Sequence, residues 1–315
     1  MSLNPLSLFR AMPGSIAQGM IWGVMALGVY ITFRLLDFAD LTVDGSIATG
    51  AAVSVMLIRA GVSPIATLPI AFLAGALAGM VTGLLNTTLG IPGILASILT
   101  QISLYSINLN IMGKANQPVS VDNYPLVVSL RYVTDGSVSR LLFFLGMIVF
   151  LLALIAVMYW YFGTEQGHAI RATGCNSNMA RAQGINTNFI KVLALMISNG
   201  LVGLCGALYG QFQGASDVNM GRGAIVIGLA AVIIGEVLFG KFASKRKLAF
   251  AFTLASVILG AVIYYMVYQF VLWLKMPSED MKLFSAIVVA IFLAIPYLKD
   301  CLLYTSPSPR DRSVS

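Results

Sequence analysis

Long apolar runs, separated by short polar segments, account for most of the chain. A helix that crosses a hydrocarbon core about 30 Å thick needs about 20 apolar residues. Runs near that length lie at residues 15–36, 45–60, 64–88, 93–112, 141–163, 188–212, 222–240, 248–274 and 282–298. The pattern predicts an all-α polytopic membrane protein with about 8–10 transmembrane helices.

The run at 45–60 is the shortest, and it follows a stretch with three aspartates, Asp37, Asp40 and Asp44. Irregular backbone and charged side chains at membrane depth are tolerated only where protein or a water-filled cavity surrounds them. We therefore expect a broken or re-entrant element here. Whether this run crosses fully stays open at this point, and the side of the membrane on which the N-terminus lies depends on it.

Two regions of the chain share one pattern of segments. A Gly/Ala-rich run, an Asp-containing break and a second Gly/Ala-rich run occur at 16–60 and again at 190–240. Many transporters consist of two related halves, so a two-fold internal repeat is one interpretation. The other is that runs rich in small residues look alike without a repeat. Outside these two regions, Gly75, Gly79 and Gly83 fall at helical spacing, which predicts close packing of their helix against another helix.

The densest basic cluster of the chain predicts a cytoplasmic loop, because cytoplasmic loops carry an excess of Lys and Arg. Counting crossings back from that loop puts residues 213–221 outside and residues 164–188 inside. The stretch 113–140 becomes an external loop with a strand-like segment at 126–133. The cluster consists of Lys241, Lys245, Arg246 and Lys247.

The polar segment 164–188 carries an ordered series of helix signals. We expect one short helix over residues 168–173 that stops at Gly174, and a second that ends at Gly184. The candidate N-caps are Asn176 or Ser177 for the second helix, and Asn186 or Thr187 for the apolar run that follows. A compact pair of helices like this can dock into another protein, whereas the alternative is an ordinary hydrophilic loop.

The order of small and polar residues in this segment resembles the cytoplasmic coupling loop of ABC importer permeases of the branched-chain amino acid and ribose type. The resembling positions are Gly167, Arg171, Ala172, Gly174, Asn176, Ala180, Gly184, Ile185 and Asn186. The resemblance implies that these positions up to Gly184, together with His168, couple the chain to an ATPase.

Two further stretches carry the resemblance. Residues 40–46, DLTVDGS, match the motif that follows the first span in the same superfamily. Residues 26–46 and 104–114 are similar, more narrowly, to the tryptophan/tyrosine group of ABC transport permeases. The likeness extends from about residue 10 to about residue 300.

The resemblance implies one transmembrane permease domain over residues 1–300, with the ABC importer permease fold and a place in the bacterial cytoplasmic (inner) membrane. The implied partners are an ABC ATPase subunit, an extracytoplasmic solute-binding protein, membrane lipid and a second permease, as a homodimer or a heterodimer. The implied cargo is a small solute, with an aromatic amino acid as the first choice. Two other classes stay open, an ion-driven secondary transporter and a membrane anchor without transport.

The composition agrees with a membrane protein and narrows the function. Hydrophobic residues make up 58% and charged residues 10%, and the mean hydropathy is +0.89, which excludes a soluble domain. The net charge of +7 is spread among loops, so we expect no nucleic-acid partner. Cys175 and Cys205 have no spacing for a metal site or a disulfide framework.

No set of residues in the sequence has the arrangement of a catalytic site. The single histidine, His168, has no paired nucleophile or cluster of metal ligands beside it. Residues 235–241 fit the G-x4-G-K part of a phosphate-binding loop, but Phe242 occupies the required Ser/Thr position. We therefore expect no enzyme and no cofactor in this chain, with ATP bound by a partner subunit.

Polar residues inside the apolar runs are the candidates for a solute route, since such residues are costly in a membrane. Ser97, Gln101, Tyr105 and Asn108 form one face of the fourth run, and either line the route or hydrogen-bond between helices. Asp40, Asp44, Asp217 and Asn219 lie at breaks, where they either cap half-helices or line the solute site. Glu236 is expected to pair with Lys241 or to reach the interface.

The last residues of the chain, 301–315, are not counted as part of the permease domain. Residues 301–311, CLLYTSPSPRD, resemble the translation of a sequencing adapter, so we expect this segment to be an artefact. The alternative is a disordered Ser/Pro-rich tail, which leaves the transport mechanism unchanged.

Overall fold

The computed structural model describes residues 5–134, 137–244 and 248–274, with six isolated positions between 283 and 294. The helices are α1 (Pro5–Tyr30), α2 (Val43–Arg59), α3 (Pro64–Thr87), α4 (Gly93–Met112), α5 (Leu130–Thr134), α6 (Ser137–Phe162), α7 (Glu165–Cys175), α8 (Ser177–Ala182), α9 (Thr187–Gln213), α10 (Ala224–Ser244) and α11 (Ala249–Trp273). A π-helical turn, Ile31–Leu35, extends α1. Two strands, β1 (Asn116–Pro118) and β2 (Ala215–Asp217), pair antiparallel with Gln117 opposite Ser216.

Six helices in the described ranges are long and apolar enough to cross a membrane: α1 with its π turn, α3, α4, α6, α9 and α11. The apolar part of α10, Ala224–Gly240, is shorter. The predicted runs at 45–60 and 222–240 correspond to α2, of 17 residues, and to α10, of 21 residues, and the run at 282–298 lies largely outside the described residues. The prediction of an all-α polytopic protein is confirmed.

Helix α9 lies at the centre of the bundle, and its start and finish mark the two ends of the bundle. It starts directly after α7 and α8, at what we call the coupling end, and it finishes directly before β2, at the sheet end. Helix α3 packs closely along it, because a methyl group on Gly75 or Gly79 would overlap the backbone carbonyl of Asn199 or Leu195. The predicted packing role of these glycines is confirmed.

The chain breaks between α1 and α2. The π turn ends at the coupling end, where the Leu35 carbonyl lies against Gly174 of α7. Near the start of α2, the Ser46 hydroxyl donates a hydrogen bond of 2.6 Å to Asn199, twelve residues after the start of α9. Since twelve helical residues span about 18 Å, α2 begins partway along α9 and runs to the sheet end. This is the geometry of the predicted broken element and not of a re-entrant one, because the chain passes from the coupling end to the sheet end through the break and α2. The start of α1 therefore lies at the sheet end.

A second break lies between α9 and α10. Residues 214–223 lead from the sheet end back into the bundle, where Gly221 lies against the backbone of Asp44. Helix α10 starts there and runs to the coupling end. Each of the regions 16–60 and 190–240 therefore holds a long helix, a non-helical break and a second helix, which is the element order that the predicted internal repeat requires.

The connection between α4 and α6 contains a short strand, but not at the predicted position. The predicted strand at 126–133 is wrong, because Leu130–Thr134 is helical and the strand of this loop is β1. The segment before α5 buries Leu126 and Val128 in alternation, but the Val127 N–H donates to the side chain of Gln211 rather than to a strand. The side chains of the basic cluster at 241–247 lie outside the described residues.

Candidate functional site

A cavity of about 320 Å³ lies between α2, α4 and the second break. We call it the polar cavity. Its walls are Asp44, Gly45, Gln101, Ile102, Tyr105, Ser106, Asn108, Val218, Asn219 and Arg222. The structure thus gathers five of the eight residues predicted for a solute route, from three separate parts of the sequence.

Asn108 is the most informative residue of this wall. Its side chain is only 1% exposed, and neither the amide oxygen nor the amide nitrogen has a hydrogen-bond partner among the described residues. Buried polar groups in folded proteins are almost always hydrogen-bonded. Asn108 therefore offers one acceptor and two N–H donors to a molecule in the polar cavity.

Asp44 joins the cavity to the start of α10. Its two carboxylate oxygens accept hydrogen bonds from the backbone N–H groups of Gly223 and Ile225, at N–O distances of 3.0 and 2.9 Å. A carboxylate at a helix N-terminus satisfies free N–H groups and interacts favourably with the helix dipole. Asp44 consequently caps a half-helix, which is one of its two predicted roles, and it also forms part of the wall of the polar cavity.

The other three predicted route residues lie outside the polar cavity. Asp40 is buried and accepts hydrogen bonds from the side chain of Asn199 (2.7 Å) and the backbone of Thr42 (2.9 Å). Ser97 is buried and donates to the Ile94 carbonyl of its own helix, so it does not share the cavity with Asn108. Asp217 lies in β2 and accepts from the Asn219 N–H.

At the coupling end, the predicted pair of short helices is present with one correction. Gly174 does not stop the first helix, because α7 continues to Cys175. A methyl group on Gly174 would overlap the Leu35 carbonyl, so its small size brings α7 against the π turn. The predicted caps are confirmed, since the Asn176 and Asn186 side chains accept hydrogen bonds from the first turns of α8 and α9. Gly184, with φ +83°, follows α8 as predicted.

The candidate coupling residues divide into an inner and an outer set. Gly167 and Ala180 are buried, and the guanidinium of Arg171 stacks 4.1 Å from the ring centre of Phe250, which attaches α7 to α11. The exposed candidates are His168, Ala172, Asn176 and Gly184, and the exposed side chains of Cys175 and Met179 complete this outer set. We call this outer set the coupling face.

The family described as "Branched-chain amino acid transport system / permease component" matches residues 12–296. The chain belongs to this family. The tyrosine transport system permease protein of Clostridioides difficile (strain R20291) is 40% identical over 291 residues, which are 92% of this chain and 93% of the relative. No solved structure gives a significant match.

Two more distant relatives also match over much of the chain. An uncharacterized protein of Rickettsia prowazekii (strain Madrid E) is 31% identical over 284 residues, 89% of this chain and 95% of the relative. An inner membrane ABC transporter permease of Escherichia coli (strain K12) is 26% identical over 218 residues, 69% of this chain and 64% of the relative. The protein is thus a multi-pass inner-membrane permease component of an ABC transport system, and the resemblance noted from the sequence is confirmed.

Two polar residues were not predicted from the sequence: Asn199, which lies outside the polar cavity, and Arg222, which lines it. Asn199 lies in the middle of a Gly/Ala-rich run and bridges two elements, since its amide nitrogen donates to Asp40 while its oxygen accepts from Ser46. An asparagine in an apolar run is costly in a membrane, and that signal could have identified it. Arg222 lies in the second break and lines the polar cavity, which only the fold reveals.

Glu236 has a partner that the sequence did not suggest, while the side chain of its expected partner, Lys241, lies outside the described residues. The Glu236 carboxylate accepts hydrogen bonds from Arg34 of the π turn, with an Nε–Oε1 distance of 2.8 Å. The pair links α10 to the residue that precedes Leu35, which contacts α7. The coupling end of the permease therefore connects α7, the π turn and α10 in one set of contacts.

Proposed function

We propose that this permease is the membrane subunit of an importer for an aromatic amino acid, and that the solute passes the polar cavity. The relative named a tyrosine transport system permease supports the solute class. The observation that carries the route is Asn108, whose buried amide has no partner in the described part of the chain. An amide pairs equally well with an ammonium or a carboxylate group, and an amino acid carries both.

The partners follow from the family and from the exposed coupling face. A separate ABC ATPase binds ATP and docks on the face that contains Ala172 and Met179, so the permease itself needs no cofactor and catalyses no reaction. An extracytoplasmic solute-binding protein delivers the solute at the sheet end. A second copy of the permease completes the membrane unit, and lipid surrounds the apolar surfaces of α4 and α6, where Leu95 and Leu152 are exposed.

Transport in proteoliposomes tests the importer. Vesicles that contain the permease, with its ATPase on the inner side, should take up L-tyrosine only when ATP is present inside and the binding protein is present outside. An ionophore should not change the initial rate, because no ion gradient drives the step. Uptake that needs an ion gradient instead of ATP would identify a secondary transporter. Absence of transport under both conditions would leave a membrane anchor.

The role of Asn108 has a direct test with a matched control on the same helix. Asn108→Leu removes an unpaired buried amide, so it should leave the melting temperature of the purified permease unchanged or raise it. The same change should strongly reduce tyrosine uptake. Asn110→Leu, at an exposed position of α4, should reduce neither. Full uptake by Asn108→Leu would contradict the route.

Thiol labelling tests which face of α4 the solute meets. In a variant without native cysteines, single cysteines at Gln101 and Tyr105 should react with a water-soluble thiol reagent, and L-tyrosine with binding protein should change the rate. Leu99 is the control, because it is exposed on α4 but does not line the polar cavity. Equal, solute-independent labelling at all three positions would contradict the assignment.

A further inference from the structure

A second cavity, of about 460 Å³, lies between α1, α9, α10 and α11. Aromatic rings form much of its wall: Trp22, Tyr209, Tyr264, Tyr265 and Tyr268. We call it the aromatic cavity. Its volume falls in the range of small-molecule sites, which are mostly apolar with a few polar groups.

The rings of this wall hold one another in place. Trp22 meets Tyr209 edge to face with ring centres 5.3 Å apart, and its ring centre lies 5.6 Å from that of Tyr265. Tyr264 and Tyr265 form a further edge-to-face pair at 5.5 Å. Aromatic side chains in such contacts offer a rigid surface for another ring at little cost in conformational entropy.

Trp22 also contributes a polar group, its indole N–H. Its side chain is 4% exposed, and its indole N–H has no hydrogen-bond partner among the described residues. A buried tryptophan N–H usually finds an acceptor, and one left unpaired costs free energy. A wall of aromatic rings that includes a buried, unpaired N–H donor therefore suits a ligand that has both a ring and an oxygen acceptor.

The aromatic cavity lies next to the polar cavity. Arg222, in the second break, lines both of them, and Gly223, which lines the aromatic cavity, donates its N–H to Asp44 of the polar cavity. The two cavities are thus on either side of one short backbone segment.

We propose that the aromatic cavity is a binding site of the permease for an amino acid with a phenol side chain. The ring packs among Trp22, Tyr209 and Tyr265, and the phenol oxygen accepts the hydrogen bond of the Trp22 N–H. The proposal rests on the proposed function, from which the class of aromatic amino acid is taken. A lipid acyl chain fits the wall less well, because it offers no acceptor to Trp22.

Equilibrium binding of radiolabelled L-tyrosine, L-phenylalanine and L-leucine to the permease–ATPase complex in nanodiscs tests the site. The binding protein is omitted, so that only the membrane complex contributes. Trp22→Phe keeps a ring and removes the N–H, and should weaken L-tyrosine binding about two- to tenfold while L-phenylalanine binding stays unchanged. Trp160→Phe, the same change at a residue that is 70% exposed, should alter neither.

A second variant fills the cavity without changing Trp22. Val226 lines the aromatic cavity and is 39% exposed, so Val226→Trp should fit into the free volume and weaken L-tyrosine and L-phenylalanine alike. Melting temperature and elution volume in gel filtration establish that each variant is folded. If Trp22→Phe does not fold, the comparison of Val226→Trp with wild type decides.

Several results would overturn the proposal. These are the absence of tyrosine binding to the wild-type complex, an equal loss for L-tyrosine and L-phenylalanine in Trp22→Phe, and unchanged binding in Val226→Trp. Release of a co-purifying lipid by Val226→Trp with tyrosine binding intact would assign the cavity to lipid instead. In each of these cases, uptake of L-tyrosine by the wild-type permease with its binding protein would still support the importer. Failure of the aromatic cavity as a binding site and failure of the proposed importer are therefore distinguishable.

Discussion

The Asp44 carboxylate in the first turn of α2 accepts a hydrogen bond of 2.9 Å from the backbone N–H of Ile225 in the first turn of α10. Both helices begin inside the bundle, after a break in the chain. Their N-termini therefore meet at one side chain that also lines the polar cavity. Discontinuous helices whose ends meet beside a solute site are a recurring feature of membrane transporters.

Loss of this cap should weaken the start of α10. Asp44→Ala removes the acceptor of two N–H groups, and we expect it to lower the free energy of unfolding by about 1–2 kcal/mol. Thermal unfolding of the purified permease measures the change. Asp217→Ala is the matched control, because Asp217 only caps its own turn at Asn219 and should cost a few tenths of a kcal/mol at most. Equal losses for both variants would contradict a special role for Asp44.

The buried pair of Asp40 and Asn199 gives a second prediction. Asn199→Leu leaves the Asp40 carboxylate with the Thr42 N–H but without the amide, and should destabilise the permease by about 1–3 kcal/mol. In Asp40→Asn the carboxylate charge is absent, so adding Asn199→Leu should cost less. A double-mutant cycle on unfolding free energies measures this coupling. Strict additivity would show that the two residues act independently.

The sequence was sufficient for features that depend on local chemistry. Asn176 and Asn186 stand before short helical patterns, and a side-chain oxygen at that position caps a helix wherever the helix lies. The break before α2 was also predictable, because the aspartates of 37–44 interrupt an apolar pattern. The resemblance added the family, which local patterns do not reveal.

Features that depend on packing between distant segments were not predictable. Gly174 has the composition of a helix stop, but in the fold it lies against Leu35, 139 positions earlier in the chain, and the helix continues. Ser97 shares the helical spacing of Gln101 and Tyr105, yet its hydroxyl is satisfied within α4. The aromatic rings of the second cavity come from α1, α9 and α11, and no sequence window contains them together.

Close packing of α3 on α9 gives a third prediction. Gly75→Ala places a methyl group against the Asn199 carbonyl and should destabilise the permease by about 1–3 kcal/mol. Gly146→Ala is the control, because no atom lies within 4 Å of the added methyl group in α6. That change should be neutral or stabilise by up to about 1 kcal/mol, since alanine favours helix over glycine. Thermal unfolding in detergent compares the two, and equal effects would contradict the packing.

The coupling face gives the last prediction, which separates docking of the ATPase from transmission into the bundle. Ala172 is exposed on α7, so Ala172→Glu adds a bulky charge to the surface without disturbing the permease core. We expect this variant to lose the ATPase on co-purification and therefore to lose uptake. Val127→Glu, at an exposed position of the sheet end, should keep the ATPase.

Gly174→Ala tests the inner side of the same helix. The added methyl group would overlap the Leu35 carbonyl and displace α7 from the π turn, which leads through the break at 36–42 to α2 and the polar cavity. The exposed coupling face is unchanged, so the ATPase should co-purify as in wild type. Uptake per ATP hydrolysed should fall, because docking no longer moves the π turn with α7. If Ala172→Glu retains the ATPase and both variants transport normally, α7 is not the element that couples hydrolysis to transport.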